Sequence, residues 1–469
     1  MNSASNEASR RIAVIGGGIS GLAAAHRLVE IQPASQVTLF EASHRVGGIL
    51  ETVRRDGYLI ERSADMFTTK DPWALDLCRR VGLEDQLLNT NEAFRRAFVV
   101  HHGKLVPVPE GFTLMSPAKM LPILKTPLLS MRGKARLGWE RFVPARRDKS
   151  DESLHDFATR RLGQEAYERL VQPLIGGIYT ADPMKLSMQA AMPEFVGMEK
   201  EFGNLTRGVR EKATKLKREG TGARYGMFLG LRDGMSSLID AIASRLPQGC
   251  VQLNSAIQGI RRDENEWQLT LEGESQSRSF DALILATRAP HAAALLQDVD
   301  SRLADELASI QYASAVVPVL GYRREQIHHP LDGFGFVVPF AEKRQILSGS
   351  FTSIKFPGRA PDDSVLFRVF IGGACQEELV GLSDDKLYEI AERELAELLG
   401  VHGEPQVREL VRWNNAMPQY HLGHLDRVAK IEEAAANLPN FALAGNAYRG
   451  VGIPFCVRSG ELAAERLLS

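Results

Sequence analysis

Cysteine is scarce in this 469-residue chain: Cys78, Cys250, Cys375 and Cys456 lie far apart and form no CxxC pair. That excludes a disulfide framework and a cysteine zinc site, and it fits a reducing compartment. No window reaches the ~18 uninterrupted apolar residues of a spanning helix. The opening MNSASNEASR lacks both the apolar run of a secretory leader and the arginine richness of a transit peptide, so the expected location is the cytoplasm. An excess of one charge is also missing, because 57 basic and 58 acidic residues leave a net charge of -1. No global field draws in nucleic acid or an acidic polymer, and any ligand selectivity must be local. Long repeats and low-complexity tracts are absent. His421 and His424 in HLGH are close in sequence, but no Cys or His cluster completes a ligand set, so they read as structural and no metal is expected. His101, His102, His328 and His329 read as solvated loop or strand-end residues.

What is present begins at Arg11. RIAVIG is a short β-branched run ending in glycine, which reads as a buried parallel strand, and ISGLAAAHRLVE continues in helix formers. Between them Gly16, Gly18 and Gly21 fit GxGxxG, with Gly17, Ile19 and Ser20 completing the turn. One glycine permits the turn, one lets backbone approach a pyrophosphate and one allows close helix–strand packing. The helix N-terminus then faces the phosphates. QVTLFEA supplies a second strand, and its Glu41 lies at the separation expected of the acid that accepts ribose hydroxyls. Strand, glycines, helix, strand and terminal acid in that order indicate a dinucleotide site, with NAD and FAD both open.

The chain is long enough for two or three lobes. Residues 1–90 read as the first part of a nucleotide-binding domain, and 91–217 as a helical insertion rich in helix formers and basic residues. Residues 218–312 rejoin the nucleotide domain, 313–424 form a sheet-based second lobe, and 425–469 close the nucleotide domain with a strand, a glycine-rich turn and a helix. The fold class is α/β with α+β lobes. Residues 114–137 mix Leu, Met, Ile and Pro with Lys119, Lys125, Arg132, Lys134 and Arg136. Such a segment is either an interfacial element facing lipid or a core helix with a basic outer face.

EASHRVGG places Arg45, Gly47 and Gly48 after the ribose acid, and this resembles the extended FAD signature of the amine oxidase superfamily. Further along, QPLIGGIYTAD, RWNNAMPQYHLGH and AGNAYRGVGIPFCVRSG together resemble the oxygen-dependent, FAD-type protoporphyrinogen and coproporphyrinogen oxidases of heme synthesis, over nearly the whole chain. The resemblance implies a Rossmann-like FAD domain, a sheet-based substrate domain and a membrane-associating helical insertion. It implies oxidation of protoporphyrinogen IX, or of coproporphyrinogen III by the same chemistry, with oxygen as acceptor and hydrogen peroxide as product. As partners it implies the porphyrinogen and oxygen, a monomer or homodimer resting on the membrane surface, and hand-off to the next enzyme of heme synthesis.

Carried over by residue, it places Gly16 to Gly21, Glu41, Ala42, Arg45, Gly48 and Ile49 around the ADP half of FAD. Ser63, Ala64, Asp65 and Met66 match a loop beside the isoalloxazine, although the usual GP is SA here. Ile257 presents its backbone to adenine, and Asn446, Val451, Gly452 and Ile453 line the pyrimidine edge of the flavin. Arg96, or Arg95 in the neighbouring register, faces a propionate. Phe334, Val337 and Phe370 sandwich the macrocycle, against the plainer reading of strand core, and Gly177 offers a carbonyl near the pyrrole nitrogens. Asp65 is the one acid near the flavin, able to steer a proton or a pyrrole N–H; an exposed loop aspartate capping a turn is its alternative role.

Overall fold

The computed structural model describes residues 10–117, 119–148, 150–218 and 226–468. Residues 1–9, on which the cytoplasmic reading drew, and Ala118 of the interfacial segment lie outside them.

The apolar run at Arg11–Ile15 becomes the central strand of a five-stranded parallel sheet. Gln36–Phe40 and Ala282–Leu285 flank it, and Val251–Gln252 and Phe441–Leu443 form the edges. Ile12, Ala13 and Val14 are fully buried, as expected of a parallel strand covered on both faces. One cover is the pair of helices Ile19–Ile31 and Ile453–Leu468, which bind the two ends of the chain into one layer. Their approach depends on Gly460, where a Cβ would collide with the Ser20 carbonyl oxygen. The three-stranded antiparallel sheet Ile257–Asp263, Glu266–Leu271 and Arg278–Phe280 covers the other face with Trp267 at its centre.

The second sheet has seven strands, in the order Val407–Pro418, Tyr312–Arg323, Ser364–Gly372, Ser348–Phe351, Gly335–Val337, Phe98–His101 and Lys104–Pro107. Strand alternation divides its faces: Val316 and Leu320 pack towards the helix Asp384–Leu399, while Val317 and Val319 pack with Tyr58 and Ile60. The last two strands correct the sequence reading of a helical insertion from residue 91. Phe98–His101 pairs in parallel with Gly335–Val337, so the start of that segment is sheet. Four-residue strands leave little periodic signal, and the sheet that this hairpin joins lies far along the chain, which is why they went unread. From Met120 to Arg218 the segment is helical, and its core is held by the buried pair Arg161 and Glu140, with Glu199 also against Arg161.

Within 114–137 both sequence readings find a part. Met115, Ile123, Leu128, Leu129 and Leu137 are buried, whereas Leu121, Leu124 and Met131 are exposed. The exposed apolar surface continues beyond the segment to Trp139 and Phe142, 60% and 58% exposed, whose rings lie 4.9 Å apart. Among the described residues no helix is long and apolar enough to cross a membrane.

Candidate active site

The glycine turn after Arg11–Ile15 forms as its residues require. Gly16 adopts φ +107, a conformation that L side chains rarely take, and a Cβ there would sit 2.7 Å from the Ala286 carbonyl oxygen. At Gly21 a Cβ would collide with the Gly16 carbonyl oxygen, so this glycine is what lets the helix close on the turn. Gly18 differs: it is the N-cap of Ile19–Ile31 with no side-chain cap, and nothing lies within 4 Å of the Cβ it lacks. The helix therefore presents unsatisfied N–H groups to open space at the carboxyl ends of the parallel strands, a setting suited to a pyrophosphate. Glu41 accepts the Gly17 N–H at 2.7 Å and the Ser43 N–H at 2.9 Å, which fixes its carboxylate beside the turn. Gly48 closes the second side of the opening, 3.2 Å from the Gly18 Cα when given a Cβ. Arg45 braces the loop to which it belongs, donating to the Val46, Gly48 and Leu50 carbonyls and to Glu51. Ala42 and Ile49 are both exposed on the same rim.

Ile257 begins the covering sheet just after Ser255, whose N–H donates to the Glu41 carbonyl at 2.9 Å, so it stands beside Glu41. At the other end of the chain, Asn446 lies in the loop that leads through Val451 and Gly452 into the helix starting at Ile453. Both helix N-termini thus open on the same end of the parallel sheet. The cradle, its fixed carboxylate and two uncapped helix starts fit an ADP moiety followed by a flavin.

The loop 63–66 runs from this end towards the second sheet. Asp65 is buried, with Oδ2 2.8 Å from Lys355 Nζ and 3.6 Å from Arg368 Nη1. This corrects its reading as an exposed turn cap: the carboxylate is buried, and two cations from the other lobe hold it. Burial opposes its ionisation, but Lys355 and Arg368 outweigh burial and hold the carboxyl below its ordinary range. Nearby Glu61 is fully buried and pushed up by that burial, against hydrogen bonds from Thr52 and the Met235 N–H. Arg368 also donates to the Ser63 carbonyl, and its guanidinium carbon lies 5.3 Å from the centroid of the Phe370 ring. Two cations against Asp65 leave this wall positive. Ser63 Oγ, Ser350 Oγ and Arg368 Nε are buried there without a hydrogen-bond partner, polar atoms that suit a ligand with acceptors and donors of its own.

The strand register aligns residues expected to meet the substrate. Val337 stands opposite Ser348, which stands opposite Phe370, and two positions along, on the same face, Gly335, Ser350 and Arg368 form the next row. Gly177, on the helix Gln172–Tyr179, approaches that first row: a Cβ there would lie 3.7 Å from Ser348 Oγ and 3.9 Å from Val337. Gly177, Val337, Phe370, Asp65 and Ser63 are therefore brought to one face of the sheet. Phe334 is half-buried and donates its N–H to the Arg96 carbonyl at 2.8 Å, so these two adjoin each other at the sheet's end. Arg96 has an internal counter-ion, Asp332 at 2.9 Å, with its side chain 48% exposed. Among the described residues Arg95 has one hydrogen-bond partner, Thr90 Oγ1 at 3.5 Å. Met66 and Ala64 are half-buried on the loop. Sequence reasoning missed Lys355 and Arg368. Arg368 carried a signal, a charge within the apolar run VLFRVFIGG on the same parity as Phe370.

The sequence profile of the flavin containing amine oxidoreductases matches residues 19–468. The chain belongs to that family. This flavin containing amine oxidoreductase is 33% identical to the coproporphyrinogen III oxidase of Bacillus subtilis (strain 168), over 99% of each chain. It is 29% identical to protoporphyrinogen oxidase 2 of Arabidopsis thaliana, over 98% of this chain and 94% of that one. A crystal structure from Exiguobacterium sp. 255-15, assigned as a protoporphyrinogen oxidase, superposes with a TM-score of 0.87 at 30% identity, covering 98% of this chain and 99% of the other. The cofactor is FAD, and the protein is an FAD-dependent oxidoreductase of α/β architecture. Among the described residues no group of three or more His, Cys, Asp or Glu forms a metal site, and all four cysteines are free.

Proposed function

We propose that this protein is an oxygen-dependent porphyrinogen oxidase of heme synthesis, converting protoporphyrinogen IX to protoporphyrin IX. The observation that carries the reading is the sheet face in which apolar Val337 and Phe370 adjoin the buried cations Arg368 and Lys355, next to the loop 63–66. A porphyrinogen is a large apolar ring with acidic edges, and such a wall suits it. Bound FAD supplies the hydride-accepting and oxygen-reducing chemistry, in three two-electron rounds per ring. The chain itself orients and shields. Val337 and Phe370 offer flat apolar surface, and Gly177, lacking a side chain, leaves clearance above Ser348 and places its backbone against the ring. Arg96 meets a propionate by exchanging Asp332 for the substrate carboxylate, a charge-assisted contact in either partner. Asp65, held ionised by two cations, keeps Lys355 and Arg368 in place and acts as a positioning residue rather than as a proton donor.

Coproporphyrinogen III, with four propionates, is the second reading, favoured by the Bacillus subtilis relative. The positive wall and Arg95, whose side chain lies 3.5 Å from the Thr90 hydroxyl, accommodate additional carboxylates. We also place the protein at the cytoplasmic face of the membrane, with Leu121, Leu124, Met131, Trp139 and Phe142 towards lipid and Lys125, Arg132 and Arg141 among them. Peroxide assays test the activity directly: about three peroxides per ring oxidised, and none with putrescine, are expected from the six-electron change. Peroxide from the amine and not from either porphyrinogen would overturn it.

A further inference from the structure

The strand Val407–Pro418 runs on through Gln419, Tyr420 and His421 to the helix His424–Asn437. Tyr420 is buried, and its hydroxyl makes two bonds to one loop. It donates to the Asn446 carbonyl at 2.6 Å and accepts the Gly450 N–H at 2.8 Å. A single oxygen thereby closes the loop 446–450 on itself. Gly450 takes φ +154, and a Cβ there would run into Phe455, so the loop has little room to find another path.

His424 completes the arrangement from below. Its ring stacks on the Tyr420 ring, with centroids 4.0 Å apart and planes 14° apart. Its Nε2 lies 2.9 Å from the Tyr448 carbonyl, an acceptor only, so Nε2 carries the proton. Ser459 Oγ accepts the Gly445 N–H at 2.9 Å, which fixes the loop's other root to the helix Ile453–Leu468. Backbone groups at 445, 446, 448 and 450 are each held by a side chain from outside the loop. Beyond the loop come Val451, Gly452 and Ile453, whose backbone opens that helix at the flavin end of the parallel sheet.

We propose that Tyr420 and His424 are positioning residues for the flavin. Their bracket fixes the Asn446 backbone and the helix start where the pyrimidine edge of the ring is received, and so sets both FAD affinity and the reduction potential of the bound ring. Amide N–H groups at a helix start favour the reduced, more electron-rich flavin only while they stay aimed at it. The inference rests on FAD binding and is independent of which porphyrinogen is oxidised, so it stands or falls without a substrate.

The test compares Tyr420→Phe with Tyr58→Phe, which removes the hydroxyl of another buried tyrosine, bonded to Gln406 in the other lobe. FAD is titrated into each apoprotein, and the visible spectrum and midpoint potential of the reloaded flavin are recorded beside the melting temperature. Tyr420→Phe is expected to weaken FAD by about tenfold, because it leaves a buried carbonyl and N–H unpaired, and to shift both the spectrum and the potential. Tyr58→Phe lowers the melting temperature and moves neither. Unchanged FAD affinity, spectrum and potential in Tyr420→Phe would overturn the proposal whatever its stability. Should that variant not fold, His424→Leu decides by the same readings, since it removes the bond to Tyr448 and keeps the hydroxyl.

Discussion

Lys355 Nζ lies 2.8 Å from Asp65 Oδ2, and both side chains are buried where the two lobes meet. The pair joins the loop 63–66 to the short helix Thr352–Lys355 that follows the strand Ser348–Phe351 of the seven-stranded sheet. Breaking a buried pair by removing one partner typically costs about 3–5 kcal/mol, because the other charge is left uncompensated. Asp65 retains Arg368 at 3.6 Å, so Lys355→Met is expected near the lower end, about 3 kcal/mol in urea denaturation. In Asp65→Asn two buried cations lose their counter-ion, and a loss at least as large is expected. An effect of either variant below about 1 kcal/mol would show that the pair does not hold the lobes together.

The glycines of the first turn separate packing from binding. Gly18→Ala has open space and ordinary backbone angles, so the melting temperature of the apoprotein should stay within a degree or two while FAD binding drops. Gly460→Ala meets the Ser20 carbonyl and should destabilise the apoprotein itself, by about 1–3 kcal/mol for an overpacked contact. Calorimetry of both apoproteins checks this. Equal destabilisation by the two substitutions would reject the assignment of Gly18 to the phosphates.

These glycines also show what the sequence made legible. Gly16, Gly18, Gly21 and Glu41 fall within a short span, where Gly16 and Gly21 are demanded by local backbone geometry and Gly18 leaves the helix start open, so their pattern is readable from the order of residues alone. Asp65 and Lys355 are 290 positions apart, and nothing local to either signals the other. A lone aspartate in a loop reads as solvated because most are. Strand alternation could have flagged Arg368 opposite Ser350, since a charge of inward parity in an apolar strand needs a reason. The stretch 98–107 was missed for a different cause: its strands are short and their sheet is completed by residues past 312. Tyr420 and His424 were seen as a motif, but their role depends on a loop that comes later in the chain.

Acid should act through His424. Burial pushes this imidazole down to about 4 from an ordinary 6.5, against the hydrogen bond to the Tyr448 carbonyl that favours protonation. Between those values the unfolded chain takes up a proton that the folded chain refuses. Stability is therefore full above pH 6.5 and falls as the pH drops towards 4, at up to about 1.4 kcal/mol per pH unit from this group. His424→Leu should remove that part of the slope in denaturation curves measured at several pH values. A wild-type slope unchanged by the substitution would contradict it.

The exposed ring pair offers a test of the lipid-facing surface. Trp139→Ser with Phe142→Ser should change stability by no more than about 0.5 kcal/mol, as surface substitutions do, while releasing the protein from anionic vesicles in flotation assays. Undiminished vesicle binding would exclude these residues from the contact.

The central claim is that a porphyrinogen reduces the flavin held between the two lobes. Its most direct test is anaerobic mixing of the FAD-loaded protein with protoporphyrinogen IX and, separately, coproporphyrinogen III, following flavin absorbance. The account predicts rapid bleaching by protoporphyrinogen IX and return of the oxidised spectrum on admitting oxygen. Bleaching by coproporphyrinogen III alone would move the substrate to the four-propionate ring, and a flavin that neither porphyrinogen bleaches would contradict the account.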